Sequence, residues 1–305
     1  MNVLTKTAIG LALCGAAFSA SASQFYIDTS GTGLGVAGTY DAAVCATCTG
    51  LKDQANVAYQ SETIITLGDL NLDVGDAITT TGGLNVGGIF DVGNYGSNKI
   101  DGFNPGASSG GFIADETLIN AGIGFWGLSF DMLLYGTIAA TDGLNVSEVS
   151  YTSGLIQVYA MVDDTDGGAD GNPNVDAINI FDLNVVGSRL DNASNFEVFG
   201  LVGFSGNESA LFNDFFNING KACPASTGSF YDLANCEPPM EISWVIDQNL
   251  DNVAADFTNV FDDGTAVIRG DHNGSVSFSV PEPGSLLLLG AGLLGLAGSM
   301  RRKRS

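Results

Sequence analysis

The chain has 305 residues, with 34 Asp and Glu against 10 Lys and Arg and a formal net charge of −24. Five of those bases are Lys6 and the terminal Arg301, Arg302, Lys303 and Arg304, so residues 24–283 hold all 34 acids against Lys52, Lys99, Arg189, Lys221 and Arg269. No basic patch can form from five scattered cations, which excludes a nucleic-acid binder, and such a field keeps chains soluble and apart unless cations bridge them.

The N-terminus reads as a secretory signal peptide. Lys6 is the only charged side chain before Asp28, an apolar stretch runs from Ala8 to Phe18, and Ser19, Ala20, Ser21, Ala22 and Ser23 are all small. A short basic region, an apolar core and a small-residue cleavage site are the three parts of an export leader. Cleavage after Ala22 or after Ser23 fits the pattern equally well, and the leader is taken as residues 1–23.

The mature domain, residues 24–280, reads as strands and turns. Gly accounts for 42 of the 305 residues, far above the average of about 7%. Gln24 to Ile27 opens as a short strand. Cys45 and Cys48 follow a Gly-rich loop at 31–38. Asn56 to Leu67 is rich in β-branched residues, a strand pattern, and Asp69 to Ile78 alternates as a surface strand would. Residues 89–111 are loop-like. Residues 123–136, with Phe125, Trp126, Leu128, Phe130, Met132, Leu133, Leu134 and Tyr135, form the most apolar stretch and the expected core. Further strands are predicted at 155–162, 177–186, 196–204, 241–246, 265–268 and 275–280. Short helical pieces are predicted at 210–216 and 250–255. Thr81-Gly-Gly-Leu-Asn-Val86 echoes Thr141-Asp-Gly-Leu-Asn-Val146, a thin hint of a duplicated unit. Gly, Asn-Gly and Asp-Gly punctuate the whole, and the fold expected is an all-β, antiparallel β-sandwich-like ectodomain. It would lie between the leader and a C-terminal transmembrane sorting helix.

Four cysteines remain after leader removal: Cys45, Cys48, Cys223 and Cys236. An even number in an exported chain points to disulfides. Three pairings are open, and the local one, Cys45–Cys48 with Cys223–Cys236, is favoured by spacing. A redox Cys-x-x-Cys would need a thioredoxin-like strand and helix around it, which the Thr, Ala, Gly and Asp flanks do not suggest.

The best constellation for a ligand is the acidic run from Asp163 to Asp176. Asp164, Asp166 and Asp170 fall at positions 1, 3 and 7 of a calcium-type loop, where closely spaced hard oxygens suit Ca²⁺. Position 6 is Ala169 instead of Gly, and position 12 is Val175 instead of Glu. The alternative is a solvated acidic loop between two strands. Asp262-Asp263-Gly264 and Asp271-His272-Asn273-Gly274 read as hairpin turns.

An enzyme is not expected. His272 is the sole histidine, and no nucleophile elbow, phosphate loop or His-rich metal motif is present. Paired carboxylates alone could still serve a glycosidase, which keeps a secreted glycan-active enzyme as a remote reading. Trp126 and Trp244, the only tryptophans, are expected to fill the core rather than build a sugar platform.

The C-terminus carries the clearest signal. Val280 leads into Pro281, Glu282 and Pro283. An uncharged run from Gly284 to Met300 follows, and then Arg301, Arg302, Lys303 and Arg304. Seventeen residues would span about 25 Å as a helix, near the lower limit for a bilayer core of about 30 Å. The cations would hold the cytoplasmic side. The two prolines fix an extended stub. Residues 281–305, with these motifs, resemble the PEP-CTERM sorting signal. That resemblance implies export across the inner membrane of a Gram-negative bacterium by way of a signal peptidase. It also implies transient anchoring by the apolar run, recognition of Pro281-Glu282-Pro283 by an exosortase, and Arg301–Arg304 as the stop signal. A softer likeness to flocculation-associated proteins of that group rests on Phe25-Tyr-Ile-Asp28, Val158 to Val162 and Cys223 with Cys236. Together these imply a surface or matrix structural protein associated with exopolysaccharide, biofilm or floc formation. A calcium-dependent or carbohydrate-binding module is the alternative.

Overall fold

The computed structural model describes residues 22–28, 51–69, 71–101, 126–142, 145–163, 175–190, 196–206, 208, 210–221, 223, 228–249 and 264–280. Most of the leader, Cys45, Cys48, the loop with Asp164, Asp166 and Asp170, residues 250–255 and residues 281–305 lie outside the described residues.

The strands among the described residues are β1 (Phe25–Ile27), β2 (Ala55–Thr66), β3 (Ala77–Gly83), β4 (Lys99–Asp101), β5 (Trp126–Asp142) and β6 (Asn145–Asp163). They continue with β7 (Val175–Leu190), β8 (Phe196–Gly203), β9 (Phe216–Ile218), β10 (Ser243–Asn249) and β11 (Thr265–Ser279). All pairings are antiparallel. One sheet runs β11-β10-β8-β7-β6-β5-β3-β2-β4, and β11 pairs again with β2. That last ladder runs from Thr265↔Thr66 to Val276↔Ala55, so the sheet closes on itself. β4 sits between β2 and β5 beyond the end of β3, touching both. The antiparallel all-β expectation therefore holds. Two halves of the sheet face one core, as in a sandwich, and the β2–β11 ladder joins what would have been its open edges. Closure removes the unpaired backbone edge that invites strand addition.

Alternation selects the inside. β2 places Ala55, Val57, Tyr59 and Ser61 in the interior while Asn56 and Gln60 face out. β5 does the same with Leu128, Phe130, Met132 and Leu134. Phe181 lies 4.9 Å from Phe216 and 5.4 Å from Phe230, ring to ring, and Phe278 lies 4.9 Å from Phe230. Phe25 meets Phe278 edge-on at 5.1 Å. This aromatic plug closes one end. The β1–β9 pair and the short helix α1 (Phe230–Ala234) supply much of it. Ser229 caps α1 by accepting the Asp232 N–H at 3.1 Å, as capping serines do. The Cys223–Cys236 disulfide, with Cα atoms 5.9 Å apart, fastens this cap.

A second layer lies on the outer face. A 3-10 segment, Val92–Ser97, brings Tyr95 together with Leu84, Tyr159 and Met161 in a separate buried cluster. Asn98, fully buried, accepts the Gln60 N–H at 2.8 Å and donates to the Asn94 carbonyl at 2.7 Å. Gly83 starts the path from the barrel to this layer. Its φ is +67°, and a Cβ there would collide with the Phe130 carbonyl.

Several local expectations change. Asp271-His272-Asn273-Gly274 is not a turn but the middle of β11, paired to Gln60, Tyr59, Ala58 and Val57. Turn-forming residues are tolerated there because Asp271 and Asn273 face solvent while His272 stacks on Tyr59 at 4.7 Å. Residues 73–76 form a turn stitched by Asp73 and Asp76, and the strand begins only at Ala77. The helix expected at 210–216 is one 3-10 turn, Ala210–Phe212, that leads into β9. The Thr81–Val86 and Thr141–Val146 phrases lie in unlike places: the first leaves β3 for a 3-10 turn, and the second spans the β5–β6 connection. Trp244 is in the core, 1% exposed.

Candidate functional site

The sorting motif begins where β11 stops. Ser243↔Ser279 is the last pair on the β10 side, whereas the β2 side ends earlier, at Ala55↔Val276. The N-terminal segment takes over that vacated side. The Ser23 N–H donates to the Phe278 carbonyl at 2.8 Å, and the Ser23 hydroxyl accepts the Val280 N–H at 3.3 Å. Val280 is 2% exposed and belongs to the core cluster. Pro281, Glu282 and Pro283 follow directly in sequence. Both chain ends of the domain meet at this point. Beside it runs an apolar groove on the outer wall, lined by Ala22, Val186, Phe199, Leu201, Val245 and Ser279.

A polar patch that sequence reasoning missed lies on the outer face of β5, β6 and β7. Register aligns Asp131 with Gln157 and Gln157 with Asp182. The Tyr159 hydroxyl donates to Asp131 at 3.2 Å. The Gln157 and Asn179 amides donate to Asp182 Oδ1 at 3.3 and 3.4 Å. Burial pushes the Asp131 carboxyl up to about 6. The Tyr159 hydroxyl and a backbone hydrogen bond from Gln157 oppose the shift, and the Asp182 charge adds to it. Burial first, then the Asp131 charge, raises Tyr159 above the usual phenol range. Asp131 therefore titrates within two units of neutrality, where it can hold or release a proton. The signal in the sequence was only an isolated Asp between apolar neighbours in β5. Two strands must be placed in register before the row exists.

The lone histidine is brought to a serine. His272 Nε2 and Ser61 Oγ share a 2.7 Å hydrogen bond. Ser61 is 5% exposed and faces the barrel interior, so the pair ties β11 to β2 from within. Close by, Thr63, Thr80 and Tyr151 form a hydrogen-bonded chain at 2.7 and 2.8 Å. These bonds satisfy polar groups inside an otherwise apolar core.

Among the described residues no group of three or more His, Cys, Asp and Glu side chains is arranged to hold a metal ion, and no helix is long and apolar enough to cross a membrane. The calcium-type residues Asp164, Asp166 and Asp170 belong to the connection between β6 and β7, whose ends meet at Asp163↔Val175. Of the four cysteines, the structure brings together Cys223 and Cys236.

Comparison with known families decides what the C-terminal end is. The model of the PEP-CTERM protein-sorting motif matches residues 279–303. The chain carries a PEP-CTERM sorting signal. The match begins at Ser279, the last residue of β11, so the PEP-CTERM signal and the folded barrel share a boundary. Exosortase is thus the processing partner, and the destination is the exported, surface-associated compartment. Neither a curated protein nor a solved structure matches the chain.

Proposed function

We propose that this is a non-catalytic structural protein of the bacterial surface or extracellular matrix, delivered as an exosortase substrate. The sorting signal at residues 279–303 carries the reading. Around it, a signal peptidase removes the leader, cutting after Ala22 or after Ser23. The apolar run anchors the chain transiently in the inner membrane, with Arg301, Arg302, Lys303 and Arg304 as the stop. The exosortase then acts at Pro281, Glu282 and Pro283. The body that is released is a closed, strongly acidic barrel. With 34 acids against five bases in residues 24–283, it repels its own copies unless divalent cations screen the field. A matrix of exopolysaccharide and bridging cations suits such a body, and Asp164, Asp166 and Asp170 are where we place Ca²⁺.

The test is genetic and chemical together. Deletion of the gene should reduce floc or biofilm formation, and deletion of the exosortase should leave the chain membrane-bound with its tail intact. A tail retained equally with and without the exosortase would overturn the sorting role. Unchanged floc, biofilm and extracellular polymer would overturn the matrix role. For the calcium site, Ca²⁺ should raise the melting temperature beyond NaCl at equal ionic strength, and less so after Asp164→Asn with Asp166→Asn.

A further inference from the structure

We infer that the outer wall of the barrel carries a binding face for a neutral polysaccharide strand, made by two apolar rows that cross β5, β6, β7, β8 and β10. This deepens the matrix reading above, and the choice of a polymer over a free sugar rests on that reading. Register builds the first row. Leu133 pairs with Leu155, Leu155 with Asn184, Asn184 with Leu201, and Leu201 with Ser243. Across five neighbouring strands that row is about 19 Å long at ordinary strand spacing. Tyr135, Ser153, Val186 and Val245 form the second row, two residues along the strands. Val186 sits in the bulge where β7 slips past β8 between Val185 and Gly187. Val186, Tyr135 and Leu201 are 59%, 47% and 36% exposed. The core is already filled by their inward neighbours Leu134, Leu183 and Val185, so it does not require apolar groups here. Single exposed aliphatics are ordinary on a protein surface, but adjoining rows of them mark an interaction face. Gly203 completes the wall. The Asn184 amide nitrogen fills the space that a Cβ at Gly203 would take, so the amide lies over β8 next to Leu201.

The charge around these rows selects the occupant. Neither row carries a charge. Asp131 and Asp182 border them on one side, two residues from Leu133 and Asn184. On the other side stands Glu197, with Arg189 Nε tied to it at 2.6 Å. A uronic-acid polymer, an anionic lipid surface or a second copy of this chain, whose residues 24–283 hold 34 acids against five bases, would bring negative charge against these borders. A cationic partner would be held by the borders rather than by the rows, and salt would release it. A neutral polysaccharide brings no charge. Its pyranose rings offer a C–H face to Leu133, Leu155, Val186 and Leu201. Their hydroxyl rim suits the Asn184 amide and the hydroxyls of Tyr135, Ser153 and Ser243. Apolar contact removes hydrocarbon from water, and the few polar groups set direction.

The test is frontal affinity chromatography of the purified exported protein on immobilised hydroxyethylcellulose, dextran, galactomannan and alginate, at 0.1 M and 0.5 M NaCl. Wild type should bind at least one of the three neutral polymers, equally at both salt concentrations, and alginate much more weakly. Val186→Ser with Leu201→Ser should weaken that binding about tenfold through lost apolar contact. Val186→Ile with Leu201→Met, which keeps the contact apolar, should bind as wild type does. Val186→Ser alone should cost about threefold, and it carries the test if the double variant melts at a lower temperature. Binding to none of the neutral polymers overturns the inference. So does alginate binding as tight as the best of them, binding lost at 0.5 M NaCl, or wild-type affinity in the serine variants. A wild-type dimer that the double variant turns into a monomer would assign the face to a second copy and overturn it as well. Intact neutral-polymer binding with floc and biofilm unchanged on gene deletion overturns the matrix reading instead and leaves the binding face standing.

Discussion

The inside of the barrel and the outer face of β5–β7 are built from the same strands with opposite chemistry. Inward residues such as Phe130, Met132, Phe181 and Leu183 are almost wholly buried hydrocarbon. Their outward neighbours Asp131 and Asp182 form a row of acids around Gln157. The interior derives its stability from area and fit, which depend little on pH. The outer row holds carboxylates largely removed from water, and the Asp131 carboxyl, raised by burial, makes its contribution change with protonation. A substitution on one side of the sheet should therefore fail in a different way from one on the other.

The largest effect is expected inside. Phe181 is 1% exposed and sits among Phe216, Phe230 and Phe278. Phe181→Ala should cost about 3–5 kcal/mol in urea unfolding, at any pH from 5 to 8, by opening a cavity that packed neighbours cannot fill. Val186, five residues along the same strand but 59% exposed, should tolerate Ala within about 0.5 kcal/mol. Equal losses at both positions would contradict the inside–outside assignment of β7. Next in size is the cap. The Cys223–Cys236 bond closes a separation of 13 residues, so replacing both by Ser should cost about 3 kcal/mol through the unfolded chain's regained freedom. Loss of the cap would also expose Phe230, which a rise in dye binding would report.

How legible these features were in the sequence follows from the physics of each. Period-two alternation is local, so β2, β8 and the end of β11 could be placed from residues such as Val57-Ala-Tyr59 and Val276-Ser-Phe278. The core stretch around Phe130 was equally plain. Closure was not, because β2 and β11 meet across some two hundred residues, and no local pattern records that Thr66 faces Thr265. The row of Asp131, Gln157 and Asp182 was hidden for the same reason. Asp271-His272-Asn273-Gly274 misled because turn propensity is a weak term, and paired neighbours on β2 override it. The sorting signal, by contrast, is a linear string read by other proteins, and it was complete in the sequence at Pro281–Arg304.

On the outer face the expected effect is smaller and depends on pH. The Asp131 carboxyl is raised from 3.8 to about 6 in the folded barrel, mainly by burial. The folded state thus binds its proton more tightly than the unfolded chain does. The stability from this group is complete below about pH 4 and is lost as pH rises through about 6. Asp131→Asn should keep the bond from Tyr159 and remove the charge. The variant should gain about 2 kcal/mol relative to wild type at pH 8, and little at pH 4. Parallel stability curves for the two proteins from pH 4 to pH 8 would show that Asp131 is not held in this environment.

The smallest effect belongs to the exposed ion pairs, and it limits how far the outer face can be treated as one. Arg269 Nε lies 2.7 Å from Glu62 Oε2 across the β2–β11 closure, with the arginine side chain 78% exposed. That location invites the idea that the pair holds the barrel shut. Exposed pairs contribute only about 0–1 kcal/mol, and salt screens them further, whereas the ladder beneath spans Thr265 to Val276. Arg269→Ala should therefore cost under about 1 kcal/mol at low salt and nothing measurable at 0.5 M NaCl. A larger, salt-independent loss would mean that closure depends on side-chain charge rather than on backbone pairing and on interior contacts such as Ser61 with His272. Burial, rather than charge alone, is what makes Asp131 matter and leaves Arg269 dispensable.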